Sequence, residues 1–252
     1  MPAGDNVFIA DDNTPAVKPV GAVVIVHGMG GTALELANYA EALAERGYAV
    51  VIPHLDDSIA NNLKVNPAIG GVRNRITRCW HVQCCIEWLH ARYGADLSIG
   101  LLGHSLGTDT IARIRGNYPK IFLAGPHAMV GPHAFLAKLG IAWLENGVDT
   151  HQWPGASTEP PALIVGSHTD DVAVPPAVMV VNAGRPNALP LTIEHCTSGR
   201  LPKAATYAFP ELGHDGYCDP RLSGDASAAR LLVPLVVKFC QQWVGSATKR
   251  RT

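Results

Sequence analysis

The run AVVIVHG, Ala22 to Gly28, is apolar at every position until its last two residues. A strand with one wet face alternates apolar and polar residues. A continuous β-branched run reads instead as a strand buried on both faces, as in a parallel sheet covered by helices. Runs of the same kind recur at Tyr48 to Pro53, Leu97 to Leu102, Lys120 to Gly125, Pro161 to Ser167 and Ala205 to Pro210. Between them lie helical patterns. Thr32 to Arg46 repeats its apolar residues at spacings of three and four, with Gly47 as the stop. Asn74 to Ala91 and Ser105 to Asn117 follow, and Asp225 to Trp243 closes the chain with Pro234 as a candidate bend. A loop rich in Asp, Asn and Pro runs to about Gly71, and Asn6 to Ala10 is a candidate short edge strand. This alternation predicts a single α/β domain over residues 1–252, with a mostly parallel sheet and helices on both faces. The least regular stretch, residues 127–160, is a candidate small cap or lid over one end of the sheet.

Composition narrows the partners. Of 252 residues, 47% are hydrophobic and 16% charged, enough apolar material for one large core. The formal net charge is −1, so there is no basic face of the kind nucleic acid requires. Lys249-Arg250-Arg251 reads as a solvated end. No apolar run approaches the ~20 residues of a membrane span. The opening MPAGDNVFIADDNT lacks the charged and apolar regions of a secretory signal, which predicts a cytoplasmic protein with its six cysteines reduced. Cys79, His81, Cys84 and Cys85 fall in RCWHVQCCIEWLH, which reads as a packed helix and not as a metal site. Oligomeric state is not readable.

Chemistry concentrates at GHSLG. Ser105 stands just past an apolar run and just before a helical pattern, with Gly103 and Gly107 two residues to either side. In a parallel sheet, ligands bind outside the carboxyl ends of the strands. A serine on so tight a strand-to-helix turn is crowded and strained, and flanking glycines relieve the crowding. The spacing is that of a nucleophile elbow. A plain N-cap serine needs neither glycine.

A serine hydroxyl needs a base, and the base needs an orienting acid. His214, in PELGHDGYCD, follows the last apolar run and is the candidate base. His195 is a weaker competitor because it precedes that run. The acid is expected after the strand at 161–167, where GSHTDDVAVPP offers two adjacent carboxylates. Asp171 is preferred for its distance from Pro175, and Asp170 is the alternative. For the oxyanion hole, the backbone N–H of Leu106 is one candidate donor and that of Met29, in VHGMGG, the other. His27 reads as a loop-shaping residue, and PHLDDS, His54 to Ser58, as a pocket wall or turn.

Together, VVIVHGMGG, LLGHSLG, DDVAVPP and LGHDGY resemble an α/β-hydrolase over nearly the whole length. The segment Val23 to Ser58 is similar to the dienelactone-hydrolase-like and platelet-activating-factor-acetylhydrolase-like branch. The resemblance implies an eight-stranded sheet, a Ser105-His214-Asp171 triad, no cofactor, and a small-molecule ester as substrate. Dienelactone hydrolases use a cysteine nucleophile, so Ser105 favours an ordinary carboxylic ester hydrolase. A thioesterase, amidase or peptidase would use the same triad. A non-catalytic ligand-binding relative is the contrasting class. Thr108 stands where a second glycine commonly follows the elbow.

Overall fold

The computed structural model describes residues 6–8, 18–29, 31–53, 55, 67–125, 160–170, 172–173, 175–183, 185 and 187–245. In chain order the strands are β1 (Asn6–Phe8), β2 (Ala22–Val26), β3 (Ala49–Ile52), β4 (Ile99–His104), β5 (Lys120–Leu123), β6 (Ala162–Ser167), β7 (Leu189–Pro190) and β8 (Ala204–Phe209). The helices are α1 (Ala37–Ala44), α2 (Pro67–Tyr93), α3 (Leu106–Arg113), α4 (Pro176–Asn182), α5 (Ile193–Thr197) and α6 (Ala226–Trp243). The strands form one eight-stranded sheet in the order β1-β3-β2-β4-β5-β6-β8-β7. Among the described strands only β1 runs antiparallel, pairing Val7 with Val51.

Both faces of the sheet are covered, which is why its strands read as unbroken apolar runs. Val23 and Ile25 of β2 pack with Tyr39 and Leu43 of α1 and with Leu235 and Phe239 of α6. Val24 and Val26 point the other way, into a second core with Val82, Ile86 and Leu89 of α2 and Ile111 of α3. The period of two along one strand therefore feeds two cores.

The strand order also locates the site. β3 lies on one side of β2 and β4 on the other, and α1 and α2 cover opposite faces. Connections leaving adjacent strands for opposite faces open a crevice at the carboxyl end of the sheet. The loop after β2 and the turn after β4 border it.

Several boundaries differ from the sequence expectation. α2 begins at Pro67, inside the stretch expected as loop, because proline suits a first helical turn whose N–H has no partner to lose. The expected helix from Thr32 is a 3-10 turn, Ala33–Leu36, continued by α1. α3 stops at Arg113, and the buried Lys120 ammonium donates to the carbonyl of Ile114 at 2.9 Å. β7 and α5 were not foreseen: two exposed residues make no apolar run. α6 continues through Pro234. Of the candidate cap, all but Pro160 lies outside the described residues. Among the described residues, no helix is long and apolar enough to cross a membrane.

The elbow glycines are close-approach positions. A Cβ on Gly107 would lie 2.0 Å from the Val26 carbonyl oxygen, and one on Gly103 would lie 2.5 Å from the Gly107 carbonyl oxygen. Bare backbone here lets α3 lie directly on β2 and brings Ser105 beside the neighbouring loop. Gly107→Ala must push α3 off the strand. It is expected to cost about 3 kcal/mol and to lower Tm by roughly 6–12 °C. A melt within about 2 °C of the parent would contradict the contact.

Candidate active site

Ser105 sits at φ 50°, ψ −123°, a backbone conformation that side-chain-bearing residues rarely adopt. Both of its own backbone polar groups are engaged. Its N–H donates to the Leu123 carbonyl at 3.0 Å. Its carbonyl accepts from the Thr108 N–H at 2.9 Å and from the Thr108 hydroxyl at 2.5 Å. Thr108 is fully buried, and Gly125 leaves it room, since a Cβ there would lie 2.1 Å from its hydroxyl oxygen. The threonine that departs from the common elbow pattern thus has a role: it ties down the strained carbonyl. The Ser105 side chain makes no cap bond to α3, which excludes the N-cap reading.

Its hydroxyl meets His214 instead. His214 Nε2 lies 2.8 Å from Ser105 Oγ, and its Nδ1 lies 3.1 Å from each carboxylate oxygen of Asp170. A carboxylate only accepts, so Nδ1 carries the hydrogen and Nε2 is left to accept from the serine. The His214 side chain is 14% exposed and that of Asp170 is not exposed at all. Burial alone would raise the Asp170 pKa. The bond from His214 and the N–H groups of Ala173 (2.8 Å) and Val172 (3.0 Å) outweigh burial and hold it below its ordinary value.

Of the two carboxylates weighed on sequence, Asp170 is therefore the one on His214. The preferred residue, Asp171, lies outside the described residues. Asp170 Oδ1 caps the N–H groups of Val172 and Ala173, which aims its carboxylate at His214, a placement that spacing from Pro175 does not encode. His195, the weaker competitor, is occupied in a capping box with Thr192 at the start of α5. His214 opens a 3-10 turn, His214–Tyr217, just past β8.

Of the oxyanion candidates, Leu106 is the first residue of α3, directly after Ser105. The loop that carries Met29 presses on Ser105: a Cβ on Gly28 would lie 3.1 Å from Ser105 Cβ and 3.6 Å from its Oγ. Glycine there keeps that approach from being crowded. The Met29 side chain itself is 61% exposed. His27 is buried, with Nδ1 2.9 Å from the Gly28 carbonyl oxygen and Nε2 accepting from the Leu55 N–H at 3.4 Å. This is the loop-shaping role expected of it. His54 and residues 56–58 lie outside the described residues.

Sequence reasoning missed His104. This residue is buried, its Nε2 donates to the His214 carbonyl at 3.1 Å, and its ring centroid is 5.2 Å from that of His214. It occupies the variable position before the elbow serine, which carries no signal of its own.

No protein-family model matches the chain, and no curated protein is similar to it in sequence. Solved structures are similar in fold. A dienelactone hydrolase from Anabaena variabilis has a TM-score of 0.54 at 13% identity, over 90% of this chain and 88% of that one. A phospholipase/carboxylesterase from Dyadobacter fermentans has a TM-score of 0.54 at 16% identity, over 88% and 91%. An esterase from Pyrococcus furiosus has a TM-score of 0.53 at 13% identity, over 90% and 83%. The chain has the α/β-hydrolase fold.

Burial, and then the neighbouring His214, hold the His104 pKa down to about 4 from 6.5. Between those values the unfolded chain binds a proton at this position that the folded chain does not. Stability must therefore fall as pH drops from about 6.5 to 4, by ~3 kcal/mol from this group. In His104→Asn the unfolding free energy, measured in urea at pH 7 and pH 4.5, should lose about 2 kcal/mol of that difference. An unchanged pH dependence would place the titration elsewhere.

Proposed function

We propose that the chain is a serine hydrolase that cleaves small carboxylic esters through an acyl-enzyme. One observation carries the reading: His214 bridges the Ser105 hydroxyl and the Asp170 carboxylate at hydrogen-bond distance on both sides. The names of the neighbouring structures (a dienelactone hydrolase, an esterase, a phospholipase/carboxylesterase) support the same class.

In this reading Ser105 Oγ attacks the ester carbonyl carbon as its proton passes to His214 Nε2. Asp170, already ionised, stabilises the imidazolium and holds the ring in the useful tautomer. The negative charge on the tetrahedral oxygen is met by the Met29 and Leu106 N–H groups, and by the amino end of α3. The alcohol leaves with the proton from His214. Water then attacks the acyl group with His214 again as base, and Ser105 is released. The strained backbone of Ser105 contributes by holding Oγ up toward the base before substrate arrives. Nothing in these steps calls for a cofactor.

Ser105→Ala should remove turnover of a short p-nitrophenyl ester, by roughly four to six orders of magnitude, while leaving the melting temperature near the parent. Retained activity would refute the assignment. Asp170→Asn should lower kcat by about 10⁴, and Asp171→Asn by no more than about threefold; the reverse ranking would return the acid role to Asp171. Matched ester, thioester and amide substrates should rank in favour of the ester. A fluorophosphonate probe should label Ser105, whereas a ligand-binding relative with an unactivated serine would stay unlabelled.

A further inference from the structure

The two oxyanion donors of the proposed mechanism come from different elements, so something must set the distance between them. Arg78 of α2 lies between both. It is a cation only 2% exposed. Its Nη2 donates to the His27 carbonyl, and its Nε donates to the Thr110 hydroxyl at 3.2 Å. The same hydroxyl donates to the Leu106 carbonyl at 3.1 Å. One guanidinium is thus bonded to the loop of Met29 and, through one hydroxyl, to the first turn of the helix begun by Leu106.

We propose that Arg78 is a positioning residue of the oxyanion hole, setting the Met29 and Leu106 N–H groups against each other across Ser105. This rests on the serine-hydrolase reading above. The loop half of the device follows from peptide geometry. Arg78 holds the carbonyl of His27, and the His27 ring holds the carbonyl of Gly28. That ring also bonds the N–H of Leu55, beyond β3, whereas Ser105 follows β4. β3 and β4 flank β2 on opposite sides. In a planar trans peptide the N–H points opposite to the C=O. A Gly28 carbonyl drawn toward β3 therefore turns the Met29 N–H toward β4, where Ser105 stands. With two successive carbonyls committed, the loop cannot rotate that N–H away.

The helix half uses the fork of the guanidinium. Arginine stays charged at any working pH and donates in fixed directions, so it can hold two acceptors at a set separation. Lysine, a single flexible point charge, cannot hold both in the same geometry. Burying a cation is costly unless it is bonded, and here its bonds bridge the parts that must not drift.

The test separates positioning from folding. Parent, Arg78→Lys, Thr110→Val and Thr110→Ser are titrated to completion with a fluorophosphonate, and kcat is expressed per titrated site on a short p-nitrophenyl ester. Arg78→Lys and Thr110→Val should lose about 10- to 100-fold in kcat, short of the loss expected for deleting a donor outright, with KM within about threefold. Their affinity for a trifluoromethyl ketone, whose serine adduct carries an oxyanion, should fall by the same factor as kcat/KM. Thr110→Ser, which keeps the hydroxyl, should recover most of what Thr110→Val loses. If Arg78→Lys does not fold, the Thr110 pair decides. A parent-like kcat per site and parent-like ketone affinity in Arg78→Lys and Thr110→Val would overturn the proposal. A parent that neither labels nor turns over any ester would instead remove the hydrolase reading itself.

Discussion

The contact on which the site depends is backbone against backbone: α3 lies on β2 with nothing but a glycine between them. At Gly107 there is no room for a methyl group beside the Val26 carbonyl, and at Gly103 there is none beside Gly107. Because the helix starts this close to the sheet, the chain must turn from β4 into α3 within one residue, and Ser105 takes that turn at positive φ. Such a conformation costs on the order of 1–3 kcal/mol and persists only where its surroundings over-determine it. Here they do: the Leu123 carbonyl, the Thr108 N–H and the Thr108 hydroxyl engage the serine backbone on both sides.

Convergence on that serine follows from strand order. β4 is central, with β2 on one side and β5 then β6 on the other. The loop after β2, the turn after β6 and the turn after β8 all open at the same edge of the sheet. Residues as far apart in sequence as Gly28, Asp170 and His214 therefore converge beside Ser105, with His214 on its hydroxyl and Asp170 behind His214. Ser105 Oγ and His214 Nε2 meet at 2.8 Å as a result.

Around this centre lies a shell of buried polar groups, each spent on a backbone carbonyl. His104 holds that of His214, Thr108 that of Ser105, Thr110 that of Leu106 and Arg78 that of His27. Buried polar groups are costly unless they are bonded. The carbonyls they satisfy belong to residues at or beside the Ser105–His214 pair.

Much of this was legible in one dimension. The unbroken apolar runs announced a sheet buried on both faces, because only that environment tolerates so few polar residues. The glycine spacing announced the elbow, because close backbone approach leaves no other residue type available. Ser105 and His214, singled out by their places at the ends of such runs, meet at 2.8 Å in the fold. What the sequence could not decide was anything set by the path of a turn. Asp170 and Asp171 are chemically identical neighbours, and only the fold of the turn after β6, with Oδ1 capping the N–H groups of Val172 and Ala173, aims Asp170 at the histidine. His104, Thr110 and Arg78 likewise look ordinary along the chain, since no motif marks a residue whose partner is a carbonyl 110, 4 or 51 positions away. Local pattern determines which segments are strands, helices and elbows because their hydrogen bonds and burial repeat at short range. Which polar groups meet is decided by tertiary packing, because that depends on where separate strands end in space.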